Sequence, residues 1–316
     1  MNEIPVFFTI DNGYAPYLAV ALHSAIAHAS PLRRYRAIVL HEGLTEENAR
    51  RLKALEKEHF QISLQSMKAN FEALDDRMSN RLRCDYFTLT IYFRLFIPEL
   101  FPQYDKGIYV DSDVVLADDP AHLFDIEIGE NLIGACRDLS IADIPDLVAY
   151  TENAVGMGKD EYINSGVLLM NLKKLREEGL QAHFLSLLNR FHFDSIAPDQ
   201  DYLNAMCRGR IHYLPPSWDA MPNEAKPPME HPSLVHFNLF SKPWCYDFIQ
   251  YEELFWHHEK ESRFFEEICA AKAAYSEEQK KADKACLALL VERGSLIPEQ
   301  EVTFRKMAEK GEKIRL

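Results

Sequence analysis

The chain alternates between short apolar runs and stretches with helical spacing. IPVFFTI (4–10), YRAIVLHEG (35–43) and FQISLQS (60–66) are rich in β-branched and aromatic residues and predict strands. Between them, 17–30 carries Leu18, Ala21, Leu22, Ala25 and Ile26 at helical spacing. Residues 44–59 put Leu52 and Leu55 on one face behind Thr45, a candidate N-cap. The stretch 87–100 is aromatic and β-branched, but its i, i+3, i+4 pattern and Pro98 favour a helix. KGIYV (106–110) predicts a buried strand, followed by strands at 131–137, 163–172 and 232–237 and helices at 173–190 and 199–207. Beyond Tyr251 the strand signals stop and the rest has helical, charged character. Strands alternating with helices imply a mostly parallel sheet covered on both faces, with ligands expected at the carboxyl ends of its strands. The expected division is 1–250 for the sheet domain and 251–316 for a helical extension.

Asp11, Asp111 and Asp113 all stand just past a strand end. In IYVDSDVVLAD (108–118) two carboxylates flank Ser112 inside an apolar stretch. Like charges that close raise each other's pKa unless a cation neutralises them, and carboxylates are hard oxygen ligands suited to Mg2+ or Mn2+. A strand, D-x-D and two β-branched residues also match the nucleophile motif of haloacid-dehalogenase phosphatases. Against that alternative, about a hundred residues and three expected strands precede the motif. No phosphate-binding G-x-x-x-x-G-K-[ST] and no G-x-G-x-x-G after a strand is present.

The net charge of -14, from 49 acidic and 35 basic residues, argues against nucleic acid as a partner. Six scattered cysteines without a C-x-x-C pair fit reduced thiols, and no apolar run reaches the ~18 residues of a membrane span. A cytoplasmic location is the expectation. The segment from Ala271 holds 10 Lys/Arg against 8 Asp/Glu, so the acidic charge lies in the first 270 residues. Its end, FRKMAEKGEKIRL, is a candidate for weak peripheral contact with the inner face of a membrane; packing on the catalytic body is the alternative.

Five segments in order (TIDNGYAPYLAVALHSAIAHA, YFRLFIPELFPQYDKGIYVDSDVVLADD, YINSGVLLMNLKKL, PDQDYLN and LVHFNLFSKPW) resemble the retaining glycosyltransferases of family eight, over about residues 4 to 250. That family includes bacterial lipopolysaccharide galactosyl- and glucosyltransferases and glycogenin. The resemblance implies a GT-A fold, a divalent cation (usually Mn2+, with Mg2+ as the alternative) and a UDP-sugar. The implied reaction moves galactose or glucose to a saccharide or lipid-linked saccharide, forming an α-glycosidic bond. A catalytically silent nucleotide-sugar binder is a further alternative.

By resemblance, Asp111, Asp113 and His236 hold the metal, and Lys242 contacts the diphosphate. Asp11 and Tyr14 hold and stack on uracil; Asn12 and Ser112 belong with these donor-side residues, as does Arg94. Asp138, Asn164 and Asp199 would bond the sugar hydroxyls. Gln200 would lie beside the anomeric carbon, where an amide, a poor nucleophile, steadies oxocarbenium charge. Leu239 occupies the place where the family often has glycine, before K-P-W.

Overall fold

The computed structural model describes residues 3–67 and 89–316. The chain runs through β1 (Ile4–Ile10), α1 (Ala15–His28), β2 (Tyr35–His41), α2 (Glu46–Lys53) and β3 (Phe60–Ser66). A 3-10 stretch at Leu89–Leu95 then leads to α3 (Ile97–Leu100), β4 (Gly107–Val110), β5 (Val114–Leu116), α4 (Pro120–Phe124) and β6 (Ile133–Arg137). Next come α5 (Pro145–Tyr150), a π turn at Thr151–Val155, β7 (Ile163–Met170), α6 (Leu172–Glu177), α7 (Leu180–Phe191), α8 (Pro198–Cys207) and β8 (Ile211–Tyr213). After β9 (Leu234–His236), the described residues are helical: α9 (Glu252–Glu259), α10 (Phe265–Ala274), α11 (Glu277–Leu296) and α12 (Phe304–Glu309).

Among the described residues, seven strands form one sheet in the order β3-β2-β1-β4-β7-β6-β8, while β5 and β9 pair separately. The sheet is mostly parallel; β7 alone runs against both its neighbours, β4 and β6. Alternation along the strands divides the core in two, because successive side chains leave a strand on opposite faces. Phe7, Tyr109 and Leu168 join the side packed by Phe184 and Leu203 of α7 and α8. Val6, Phe8, Ile108 and Val167 join the side packed by Leu18 and Leu22 of α1. Both faces are therefore covered, as the alternation of strands and helices implies.

Several boundaries differ from expectation for identifiable reasons. The helix expected over 173–190 is two helices, α6 and α7, broken at Gly179, whose φ of 71° lies in the left-handed region open to glycine. The helix expected over 44–59 stops at Lys53, and Thr45 caps it by accepting from the Asn48 N–H at 3.2 Å. The 87–100 segment is a 3-10 stretch followed by one α turn; positions 87 and 88, and Cys84, lie outside the described residues. The short strands β5 and β8 were not anticipated, since three residues are too few to display a period. The five described cysteines are free.

Among the described residues no helix is long and apolar enough to cross a membrane. The C-terminal apolar residues face inward: Phe304, Met307 and Ile314 are buried in the core. The Phe304 ring stacks on Phe193 at 3.9 Å and meets Tyr202 edge-on at 4.9 Å. This is the packing alternative for the tail. Phe304→Ala should therefore cost about 3 kcal/mol or more, the usual range for a buried aromatic ring. Urea unfolding of the full chain measures it, and a loss below about 0.5 kcal/mol would mean that α12 is not docked as described.

Candidate functional site

The site grows from the carboxyl end of β4. Strand β5 pairs antiparallel with β9 so that Val114 stands opposite His236. The Phe237 N–H donates to the Asp113 carbonyl at 2.9 Å. This register carries His236 across more than a hundred residues to the D-x-D stretch. One ligand atom each of Asp111, Asp113 and His236 lies within 4.8 Å of the others. His236 Nε2 is 3.4 Å from Asp113 Oδ1 and 3.8 Å from Asp111 Oδ2, while Nδ1 faces Asp219 at 3.0 Å. Two carboxylates and an imidazole whose other nitrogen is oriented by a buried carboxylate form a donor set suited to a divalent transition metal.

Strand β7 supplies the floor. Because β7 lies antiparallel to β4, the Asp111 N–H donates to the Gly166 carbonyl at 2.8 Å. A Cβ on Gly166 would stand 2.3 Å from His236 Cε1 and 2.8 Å from Asp111 Oδ2. Any other residue would fill the cradle in which the three ligands meet. The donor set and this cradle together fit a small cation.

Charge balance at the site is tight. Burial would raise the Asp113 pKa, but the Lys242 and His236 charges hold it well below the carboxylate range. Burial would lower that of His236, but Asp113, with the hydrogen bonds to Asp113 and Asp219, holds it up at about 10. Lys242 forms a buried ion pair with Asp113. Arg94 is buried too: it reaches Asp111 at 2.9 Å and Asp199 at 3.1 Å, and it lies over the Tyr109 ring.

From Arg94 a continuous hydrogen-bonded chain leads to the remaining polar residues. Its guanidinium donates to the Ser165 carbonyl at 2.6 Å, and Ser165 Oγ donates to Asp199 at 2.9 Å. The Ser165 N–H donates to Gln200 Oε1 at 3.0 Å, and Gln200 Nε2 donates to Asp138 at 2.8 Å. Asn164 donates to Asp138 at 3.2 Å and accepts from the Gly166 N–H at 2.8 Å. Asp138 also accepts from the N–H and hydroxyl of Ser140, so four donors occupy its acceptor sites.

The residues expected on the donor side stand at the adjoining ends of β1 and β4. Asp11 accepts from the Tyr14 N–H at 3.0 Å, and Ser112 Oγ donates to the Thr9 carbonyl at 3.1 Å. Tyr14 meets Tyr17 edge-on, and Tyr17 stacks on Trp244 at 4.1 Å. Asn12 turns elsewhere: its side-chain oxygen accepts from the Thr45 N–H at 2.8 Å and from Asn48, which ties the loop to α2. Three neighbours of the site were missed from sequence: Asp219 behind His236, Tyr109 donating to Asp111 at 2.6 Å, and Ser165 at the centre of the chain of bonds. Ser165 and Tyr109 adjoin motifs that could have flagged them; Asp219 adjoins none.

Two substitutions test this geometry. Gly166→Ala should preserve the fold yet weaken Mn2+ binding at least tenfold, because the added methyl enters the cradle; calorimetric titration with Mn2+ measures it, and unchanged affinity would exclude these ligands. Leu239 adopts φ 53°, a conformation that costs a non-glycine residue about 1–2 kcal/mol. Leu239→Gly should therefore stabilise the chain by about 1 kcal/mol in urea unfolding, less whatever packing the leucine contributes. A loss of more than about 2 kcal/mol would show that this packing dominates.

Residues 5–247 match the family described as Glycosyl transferase family 8. A Haemophilus influenzae protein named "Putative glycosyltransferase" is 29% identical over 211 residues, 66% of this chain and 61% of that protein. The Escherichia coli lipopolysaccharide 1,2-glucosyltransferase is 29% identical over 188 residues, 52% of this chain and 53% of its own. The chain thus spans 53% to 61% of the length of these two relatives. Among solved structures, galactosyltransferase LgtC with donor and acceptor sugar analogs superposes with a TM-score of 0.67 at 27% identity, over 82% of this chain and 96% of that one. The bifunctional glycosyltransferase WbbM superposes with a TM-score of 0.75 at 23% identity, over 86% of this chain and 52% of that one, a likeness of fold. With the family match covering most of the chain, the phosphatase alternative falls, and the chain belongs to glycosyl transferase family 8 and has the GT-A fold.

Proposed function

We propose that the chain is a Mn2+-dependent, retaining hexosyltransferase that moves galactose or glucose from its UDP-sugar to a saccharide or lipid-linked saccharide, forming an α-glycosidic bond. The observation that carries this reading is the convergence of Asp111, Asp113 and His236 beside Lys242. The likeness to a lipopolysaccharide 1,2-glucosyltransferase and to a galactosyltransferase supports a hexose donor and a saccharide acceptor. Residues 1–250 would form the catalytic domain and 251–316 an extension.

When bound, the metal would supply Lewis-acid stabilisation of the departing diphosphate, and Asp111, Asp113 and His236 would hold it. Lys242 would add a preorganised positive charge on the same leaving group. Asp11 and Tyr14 would receive the uracil, with Ser112 fixing their loop against the metal-binding stretch. Arg94 would hold Asp111 and Asp199 in register. Asp199 Oδ1 is buried without a partner among the described residues, an acceptor available to a sugar hydroxyl. Asp138, already fully bonded, would act by orienting Gln200 and Asn164 rather than by touching sugar itself. The Ser165 N–H fixes which end of the Gln200 amide is oxygen. An amide held in this way is suited to electrostatic support of the anomeric centre, not to nucleophilic attack.

Lipid-linked saccharide acceptors would bring the enzyme to the inner face of a membrane from the cytoplasm. Since Phe304, Met307 and Ile314 pack inward, the tail would contribute basic groups alone.

The test is UDP release from UDP-glucose and UDP-galactose with Mn2+, with and without saccharide acceptors. Asp113→Asn should lower turnover roughly 10²-fold or more and remove the metal dependence of UDP binding. Gln200→Ala should lower kcat by a similar factor while the Kd for UDP stays within about threefold. UDP binding without turnover on any acceptor would favour the silent binder. Equal losses of kcat and UDP affinity in Gln200→Ala would assign that residue to binding.

A further inference from the structure

The family match ends at residue 247, and α11 lies wholly beyond it. Yet α11 lines the space onto which Gln200 opens. This narrow pocket, of about 40 Å³, has a polar edge that includes Asp138, Thr151 and Gln200. The rest of its lining is mostly apolar, and α11 contributes Leu287 and Leu290 to it alongside Leu147 of α5. Leu290 is buried and Leu287 half-buried.

The helix is pressed against the catalytic body one turn further on. A Cβ at Gly294 would stand 2.9 Å from Leu147 Cδ2, so the missing side chain is what lets α11 approach α5 this closely. Arg293 forms an ion pair with Asp194, which secures the same turn. Residues four apart share a helix face, so the contact that seats Gly294 also aims Leu290 into the pocket.

We propose that α11 closes off the space beside the transferred sugar: the gap that Leu287 and Leu290 leave next to Gln200 is too small and too apolar for an N-acetyl group, so an unsubstituted hexose is accepted and an N-acetylated one excluded. The proposal rests on the reading that Gln200 lies beside the transferred sugar. Space of this volume takes one or two waters, not an additional acetamido group. An amide forced against two leucines would also leave its N–H and C=O unpaired. Either penalty corresponds to roughly a ten- to hundredfold preference.

The experiment uses the full chain with Mn2+ and compares UDP release from UDP-glucose, UDP-galactose and UDP-N-acetylglucosamine. The wild type should favour the better hexose donor by at least about tenfold in kcat/KM. Leu287→Ala and Leu290→Ala should each raise the relative kcat/KM for the N-acetylated donor several-fold, and together at least about tenfold. The Kd for UDP, measured calorimetrically, should change less than about twofold, since neither leucine reaches the nucleotide on this reading. If the double variant unfolds, Leu287→Phe, at a half-buried position, supplies the opposite test: it should cut hexose release at least tenfold with UDP affinity kept. Hydrolysis with an unshifted donor ratio in the alanine variants, or full hexose activity in Leu287→Phe, would overturn the proposal alone. Absence of hydrolysis from every UDP-sugar, with UDP still bound, would overturn the hexosyltransferase reading and the proposal with it.

Discussion

The structure depends on how it neutralises carboxylates gathered at the end of one sheet. Asp111, Asp113, Asp138, Asp199 and Asp219 lie within one network, and four of the five are buried. Arg94 and Lys242 are the fixed positive charges facing them, joined by His236 when it is protonated. Taking an ion out of water costs several kcal/mol unless it is paired and hydrogen-bonded, so this arrangement is tolerable only if each carboxylate has at least one close partner. That condition explains the saturated Asp138, the bridging Ser165 and the Arg94 guanidinium spread across three residues. It also explains why a divalent cation suits the centre: among the described residues of this network, five carboxylates outnumber two permanent cations.

Satisfying so many charges needs close approach, and the fold provides it through one strand of opposite direction. Were β7 parallel to β4, the Asp111 N–H would not meet the Gly166 carbonyl in the way that sets the floor of the site. The N-S-G stretch then uses each residue differently. Asn164 joins Asp138, Ser165 links Arg94 to Gln200, and Gly166 leaves the room that His236 and Asp111 share. A similar division occurs at the start of α8. Residues 199 and 201 are about 200° apart around a helix, so they face opposite ways. Asp199 turns to Arg94, whereas Asp201 is buried among Tyr150, Tyr162 and Ser195, where burial pushes its carboxyl up to about 6 against their hydrogen bonds. One acid of the D-Q-D stretch thus serves the site and the other anchors the helix that presents it.

Much of this was legible in the sequence because the main strands are long enough to show their period. The runs at 4–10, 35–43 and 60–66 predict β1, β2 and β3 to within two residues, and the carboxylate pair falls directly after β4. What sequence could not give was the pairing of β5 with β9. Three-residue strands carry no periodic signal, yet their register is what brings His236 to Asp111 and Asp113. Resemblance supplied His236 where periodicity could not. Asn12 shows the converse limit: its place beside Asp11 looks like a ligand position, but its side chain is taken up by α2. Asp219 escaped because a lone aspartate after tryptophan has no distinguishing context until the fold sets it behind the imidazole.

The C-terminal helices complete a separation between charge and shape. Every member of the carboxylate network lies within the family-matched stretch, as do its cations. Electrostatic stabilisation of a leaving diphosphate is a demand common to any sugar nucleotide, so residues that meet it have little freedom to vary. The wall facing Gln200 is under a different constraint, since it need only exclude the wrong ring and water. Leucines on a helix outside the matched stretch can meet that demand without touching a buried charge. Because α11 is held by packing at Gly294, the Arg293–Asp194 ion pair and the hydroxyls of Tyr246 and Tyr275 on Asp283, none of them part of the carboxylate network, its side chains can change while the network behind Gln200 stays intact.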